Sequence, residues 1–224
     1  LQPAPDPVTL AVLENRFRAI VEEMGEALLR TATSQILNSS RDFSIALCDG
    51  QARLVAQADH IPVHVGAMPF AAAAVLAAFG DALKPGACYL LNDPWHGGSH
   101  LPDLTIVLPV FDATTLRFLC VVRAHQSDIG GATHGGYNPA AFEIWQEGIR
   151  IPPIELGTDG TLRQDLVEML ALNTRIARDF RGDLMAMWGA ARLGGKRIEA
   201  LLAQHGAPKL EAAVEAILDL AEAH

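Results

Sequence analysis

An α+β fold is what the sequence predicts: a long N-terminal helix, antiparallel β hairpins forming a central sheet, and a helical C-terminal section. Three observations carry this. Apolar residues recur at three- and four-residue steps through the first 34 positions, two pairs of β-rich runs are each joined by a short polar turn, and from 163 onward the composition becomes that of helices. The expected organisation is an α+β core over 1–160 and a helical section over 161–224, continuous with the core.

The elements follow in order. Asp6-Pro7 is an N-cap followed by a first-turn proline, and Leu10, Leu13, Phe17, Ile20, Met24 and Leu28 form one apolar stripe, so a helix is expected over about 8–34. DFSIALCDGQARLVAQ holds two apolar runs joined at Asp49-Gly50, the strongest short-range hairpin signal, which places strands at 43–48 and 52–57. HIPVHVGAMP reads as a polar, proline-punctuated connection, and PFAAAAVLAAF as a buried helix over about 68–79 ending at Gly80. CYLLND is a short strand. NDPWHGGSHLPD, with its two prolines and Gly-Gly pair, is a shaped loop.

LTIVLPVF and LRFLCVVRAH, separated by DATT, form a second hairpin over about 104–111 and 116–125. The glycine- and proline-rich stretch from Asp128 to Ile154 lacks periodicity and reads as a long excursion, a kind of segment that is often functional. Three helices are expected beyond 163, separated near Asp179–Gly182 and at Gly206–Pro208.

Composition excludes several classes of function. The chain has 224 residues, half of them apolar and 19% charged, a globular balance rather than a disordered one. Its net charge is −9 with no run of Lys or Arg, so nucleic acid is not an expected partner. No apolar stretch reaches the roughly 18 residues that would span a bilayer, and LQPAPDP has no basic or apolar leader character; no membrane partner and a cytoplasmic location are expected. The opening Leu, in place of an initiator Met, suggests an edited or processed start. Cys48, Cys88 and Cys120 sit in apolar strand contexts and read as buried, reduced thiols. There is no phosphate loop, dinucleotide fingerprint or GxSxG elbow, so this chain is not expected to bind ATP or NAD. Trp95 and Trp145 read as packing residues.

Acids and imidazoles nevertheless fall where predicted strands begin or end. His100 and Asp103 lie three apart in a turn-forming stretch, which lets them face the same way. His125 ends the strand that pairs back beside that turn, so hairpin geometry gathers all three. Asp42, just before the first hairpin, supplies a fourth ligand or a base if that hairpin joins the same sheet. A mixed set of two histidines and one or two aspartates suits Zn, Mn or Fe(II), and an open coordination position would acidify a bound water or polarise a carbonyl. By itself, HxxD is a weak signal that reads more readily as a satisfied structural histidine than as a metal ligand. His60 and His64, in DHIPVH, suit backbone hydrogen bonds or pocket lining better than metal binding. His96 and His134, each followed by Gly-Gly, suit substrate contact or support of the ligands. His205 and His224 read as surface residues.

Taken in order, SSRDFSIALCDGQARLVAQADHIPVHVGAMP, LNDPWHGGSHLPDLTIVLPVF, RAHQSDIGG and EIWQEGIRIPPIEL resemble the hydantoinase B/oxoprolinase family. The resemblance covers about positions 10 to 200. That family includes B subunits of ATP-dependent N-methylhydantoinases and caprolactamases, one half of fused 5-oxoprolinases, and a large subunit of acetone-type carboxylases. The resemblance implies one divalent transition metal held by Asp42, His100, Asp103 and His125, with Asp42 and His125 carrying catalysis and Asp42 as base. It implies a hetero-oligomer with an A-type subunit that uses ATP to phosphorylate the substrate oxygen, and a cyclic amide such as a hydantoin, 5-oxoproline or lactam as substrate. An acetone-type carboxylase subunit and a non-catalytic scaffold are the alternatives. Gln126 and Asp128, in AHQSDIGG, join the groups near the substrate. Members commonly have a second histidine where Gln126 stands, a departure that bears on substrate specificity or proton transfer. Family subunits are also longer, so the chain is expected to be an N-terminal portion, inactive without its partner.

Overall fold

The computed structural model describes residues 5–58, 62–135 and 138–222. Helix α1 runs over Pro7–Thr31, its Asp6 cap accepting a hydrogen bond from the Thr9 amide at 3.0 Å, and a short helix α2 follows at Gln35–Asn38. Strands β1 (Phe43–Asp49) and β2 (Leu54–Ala58) form the first hairpin, and helix α3 (Pro62–Phe79) leads to β3 (Cys88–Leu91). The second hairpin, β4 (Asp103–Asp112) with β5 (Thr115–His125), is the longest strand pair. After the excursion come β6 (Ile154–Thr158), β7 (Thr161–Leu162) and helices α4 (Gln164–Leu172), α5 (Ala177–His205) and α6 (Ala207–Glu222). No helix among the described residues is long and apolar enough to cross a membrane.

All seven strands lie in one antiparallel sheet ordered β2-β1-β5-β4-β3-β6-β7. Helices cover both faces, which is why β1 and most of β4 and β5 are buried throughout instead of alternating with polar residues. Side chains on successive residues serve different cores. Ile45, Leu47, Leu104, Ile106, Leu108, Cys120 and Val122 pack with Leu13, Phe17, Met24 and Leu28 of α1 and with Leu184, Met187 and Ile198 of α5. Ala46, Cys48, Val107, Leu119 and Val121 pack with Met68, Ala71, Ala72 and Val75 of α3. The three cysteines are free and buried, as expected; burial pushes the Cys48 and Cys88 thiols up to about 12.

Three expectations are corrected. Helix α3 begins at Pro62, so the stretch read as a connection is its first two turns; a proline is readily accommodated at a helix start. The break between the first two C-terminal helices falls at 173–176, not at 179–182. Gly182 lies inside α5 because a Cβ there would stand 2.0 Å from Thr33 Oγ1: the glycine serves close packing against the end of α1, not a turn. The third correction is β6 and β7, short strands at one sheet edge with no strong pattern of their own.

Candidate metal centre

The site lies on the α3 face of the sheet, where the three central strands end. Register pairs Asp103 with His125 across β4 and β5, and the His125 amide donates to the Asp42 carbonyl at 3.0 Å, so the first hairpin does join this sheet beside the second. Alternation then turns the Asp103, Thr105, Arg123 and His125 side chains to the α3 side, opposite the face that receives Leu104, Val122 and Ala124. His100 arrives from the loop between β3 and β4.

That loop is shaped by its glycines and by polar contacts beneath it. Gly97 has φ +83°, and a Cβ on it would stand 2.4 Å from the Ala71 amide nitrogen of α3. Asn92, fully buried, donates to the carbonyls of Leu101 at 2.7 Å and Ile149 at 2.9 Å and accepts from the Ile151 amide at 2.7 Å, tying the loop to the 149–151 segment. Arg123, also fully buried, donates to Thr105 Oγ1 at 2.8 Å and to the Gly97 carbonyl at 2.7 Å, while its Nη1 has no partner among the described residues. Burial pulls its guanidinium down to about 10.

The result is a tight triad. His100 Nε2 is 2.8 Å from Asp103 Oδ1, His125 Nδ1 is 3.1 Å from the same oxygen, and the two ring nitrogens are 3.2 Å apart. Ligand atoms about 2.0–2.2 Å from a tetrahedral ion stand roughly 3.3 Å from one another, so these three atoms could hold one divalent cation. Asp42 stands further out, its Oδ2 4.0 Å from His125 Nδ1. Asp103 is 1% exposed, His125 12%, Asp42 28% and His100 43%, which gives a closed floor and an open rim from which a small molecule can approach.

Electrostatics suit a cation. Burial works to raise the Asp103 carboxyl, but the hydrogen bonds from His100, His125 and His64 prevail and hold it well below the usual carboxylate range. The hydrogen bond to Asp103 raises His100 above its ordinary value against the opposing effect of burial, with the Asp42 charge adding in the same direction.

Other candidate residues are placed differently. His64, expected to meet loop backbone or line a pocket, brings its Nε2 to 3.1 Å from Asp103 Oδ2 and 3.8 Å from Asp42 Oδ1. His60 lies outside the described residues. His96 is bound by Asp93, Nδ1 to Oδ2 at 3.0 Å, in the same loop as His100. Asp93 also accepts from Arg150 Nη2 at 2.8 Å, and that guanidinium lies 5.0 Å over the Trp95 ring. Trp95 and Trp145, expected in packing, are 72% and 68% exposed. Gln126 turns to the opposite face, its Nε2 3.6 Å from Met187 Sδ of α5. Asp128, buried, pairs at 2.8 Å with the half-exposed Arg175 guanidinium and accepts from the Arg175 amide, bracing the start of the excursion against the segment between α4 and α5. His134 is exposed.

Sequence reasoning missed Arg123 and Asn92. The signal for the first was a lone cation inside the otherwise apolar strand LCVVRAH; for the second, an amide directly after four apolar strand residues.

A sheet covered by helices on both faces, with imidazoles and carboxylates gathered at the ends of its central strands beneath a helix start, defines the class of protein. The chain belongs to the hydantoinase B/oxoprolinase family, which it matches over residues 6–224. It is 36% identical over 219 residues to caprolactamase subunit beta of Pseudomonas jessenii, covering 98% of this chain and 38% of that protein. The crystal structure of the ATP-dependent caprolactamase from that organism superposes with a TM-score of 0.93 at 36% identity, over 99% of this chain and 38% of the other. 5-Oxoprolinase 1 of Arabidopsis thaliana is 35% identical over 219 residues, covering 92% of this chain and 17% of that protein. A nucleotide-free acetone carboxylase shares the fold, with a TM-score of 0.87 at 20% identity over 93% of this chain and 28% of the other. The chain therefore spans well under half the length of these relatives.

Proposed function

We propose that this chain is the metal-binding part of a B-type subunit of an ATP-dependent cyclic amidohydrolase, acting on a hydantoin, 5-oxoproline or lactam ring. The observation that carries the reading is the convergence of His100, Asp103 and His125 within 4.8 Å on a buried floor with an open rim. Relatives named caprolactamase and 5-oxoprolinase support the substrate class. His100, Asp103 and His125 hold a divalent Zn, Mn or Fe ion, with Asp42 beside them. When bound, the ion supplies Lewis acidity toward the substrate carbonyl and the attacking water.

An unstrained amide is a poor electrophile, so the reading includes an A-type partner subunit that uses ATP to phosphorylate the amide oxygen. The residues of this chain then complete hydrolysis. A water oxygen forms a bond to the activated carbon, the ring C–N bond breaks as protons pass to the ring nitrogen, and the acyl phosphate that remains is hydrolysed by a second water to carboxylate and inorganic phosphate. Asp42, partly exposed and within 4.0 Å of His125 Nδ1, accepts a proton from that water. His125 and Asp103 orient the reacting group.

Two measurements test this. Elemental analysis of the purified chain is expected to show about one transition metal per chain, lost in His100→Ala; full occupancy in that variant refutes the ligand set. ATP-dependent ring opening of hydantoin and 5-oxoproline is expected only when an A-type subunit is present. Turnover without partner or ATP refutes the division of labour, and bicarbonate-dependent consumption of a ketone in place of ring opening replaces this reading with a carboxylase.

A further inference from the structure

We infer that His64 is a positioning residue that decides which oxygen of Asp103 is free to meet the metal. The inference rests on the metal reading above and goes beyond its ligand set.

The two oxygens of Asp103 keep different company. Oδ1 faces the two imidazoles, at 2.8 Å from His100 Nε2 and 3.1 Å from His125 Nδ1. Oδ2 accepts from Ser99 Oγ and lies 3.1 Å from His64 Nε2. With two donors committed to Oδ2, the carboxylate cannot rotate to present both oxygens, or the other one, to an ion between the histidines. One-oxygen ligation through Oδ1 is therefore built into the geometry of the carboxylate. Groups that hydrogen-bond a ligating carboxylate set its orientation and thereby the affinity of the site.

His64 is held there at a cost. It is 3% exposed, and among the described residues its Nδ1 is buried without a hydrogen-bond partner, which folded proteins rarely tolerate. Of the two neutral tautomers, only the one carrying hydrogen on Nε2 donates to Asp103, and it leaves the Nδ1 lone pair, rather than an N–H, unmet. A side chain needed only to pack α3 on the sheet has no reason to be an imidazole with one nitrogen wasted. The other nitrogen explains the choice, and its 3.8 Å distance from Asp42 Oδ1 sets His64 between both carboxylates.

The test uses the purified chain and three variants. His64→Gln keeps an N–H donor near the Nε2 position, His64→Met keeps bulk without the donor, and Ser99→Ala removes the other donor to Oδ2 while leaving α3 anchored. Dissociation constants for Mn2+ and Co2+, and the visible absorption of the Co2+ form, are read alongside unfolding midpoints. His64→Met is expected to weaken binding about 10- to 100-fold and alter the Co2+ spectrum. His64→Gln is expected to restore both, and Ser99→Ala to weaken binding in the same direction. Wild-type affinity and spectrum in His64→Met overturn the inference, as does a His64→Gln variant that fails as His64→Met does. If His64→Met does not fold, unchanged binding in Ser99→Ala overturns it. No metal bound by the wild-type chain refutes the underlying metal reading instead.

Discussion

Gly97→Ala is the substitution that most directly separates the scaffold of the site from its ligands. Glycine at 97 has φ +83°, in the left-handed region, where a Cβ costs about 1–2 kcal/mol. That Cβ would also stand 2.4 Å from both the Ala71 nitrogen and the Phe70 carbonyl carbon, all of it helix backbone that has little room to yield. Overpacking of this kind costs about 1–3 kcal/mol, so the two effects together predict a loss of about 2–5 kcal/mol. The loop cannot stay in place while α3 keeps its own hydrogen bonds. Its displacement breaks the 2.7 Å bond from Arg123 Nη2 to the Gly97 carbonyl and carries His100 away from Asp103. Gly80→Ala is the control, with φ +47° and open space around the added Cβ, so it suffers only the backbone penalty. Urea denaturation and metal titration of both variants are the assays. The expected outcome is a clearly larger loss of stability in Gly97→Ala, together with weakened binding of the metal proposed for this site. A Gly97→Ala protein no less stable than Gly80→Ala, with wild-type metal affinity, refutes the reasoning.

Two further outcomes follow from the polar contacts. Asn92→Ala leaves the Leu101 and Ile149 carbonyls and the Ile151 amide without their side-chain partner, so a loss of about 3 kcal/mol in denaturant unfolding is expected, roughly 1 kcal/mol for each group. In chelator-treated protein, stability depends on pH from both sides. His100 is raised by its bond to Asp103, so its contribution is complete below its unfolded value of about 6.5 and is lost as pH rises through the folded value. Asp103 is depressed, so its contribution is present above about pH 3.9 and is lost as pH falls below that. Thermal midpoints across pH check this, and His100→Ala is expected to abolish its part of the alkaline decline.

Much of this was legible where the information is local. The stripe Leu13, Phe17, Ile20, Met24, Leu28 marks α1, and Asp49-Gly50 marks the first hairpin. The triad was legible in part for the same reason: a hairpin turning at 113–114 brings the start of its first strand near the end of its second, but the turn alone would pair Asp103 with Ala124, and it is the register shift between Val110 and Phe111 that sets Asp103 opposite His125. What was hidden depends on packing between distant segments. DHIPVH gave no sign that Pro62 opens a helix whose first turn delivers His64 to Asp103. Gly182 resembles a helix break until Thr33 is seen to require the space. Arg123 was hidden because its partners, Thr105 and Gly97, come from another strand and a loop.

The strand order has a consequence for how the chain acquires its site in time. His100, Asp103 and His125 span only 26 residues joined by one tight hairpin, so the contact that unites them involves a short closed loop. Hairpins form in about 1–10 μs, well before distant strands dock. Asp42 comes with β1, which must close onto β5 across a far longer stretch, and His64 waits for α3 to settle on the face that bears the site. The hairpin therefore brings these three side chains together locally, and the first hairpin and α3 complete their surroundings from more distant parts of the chain.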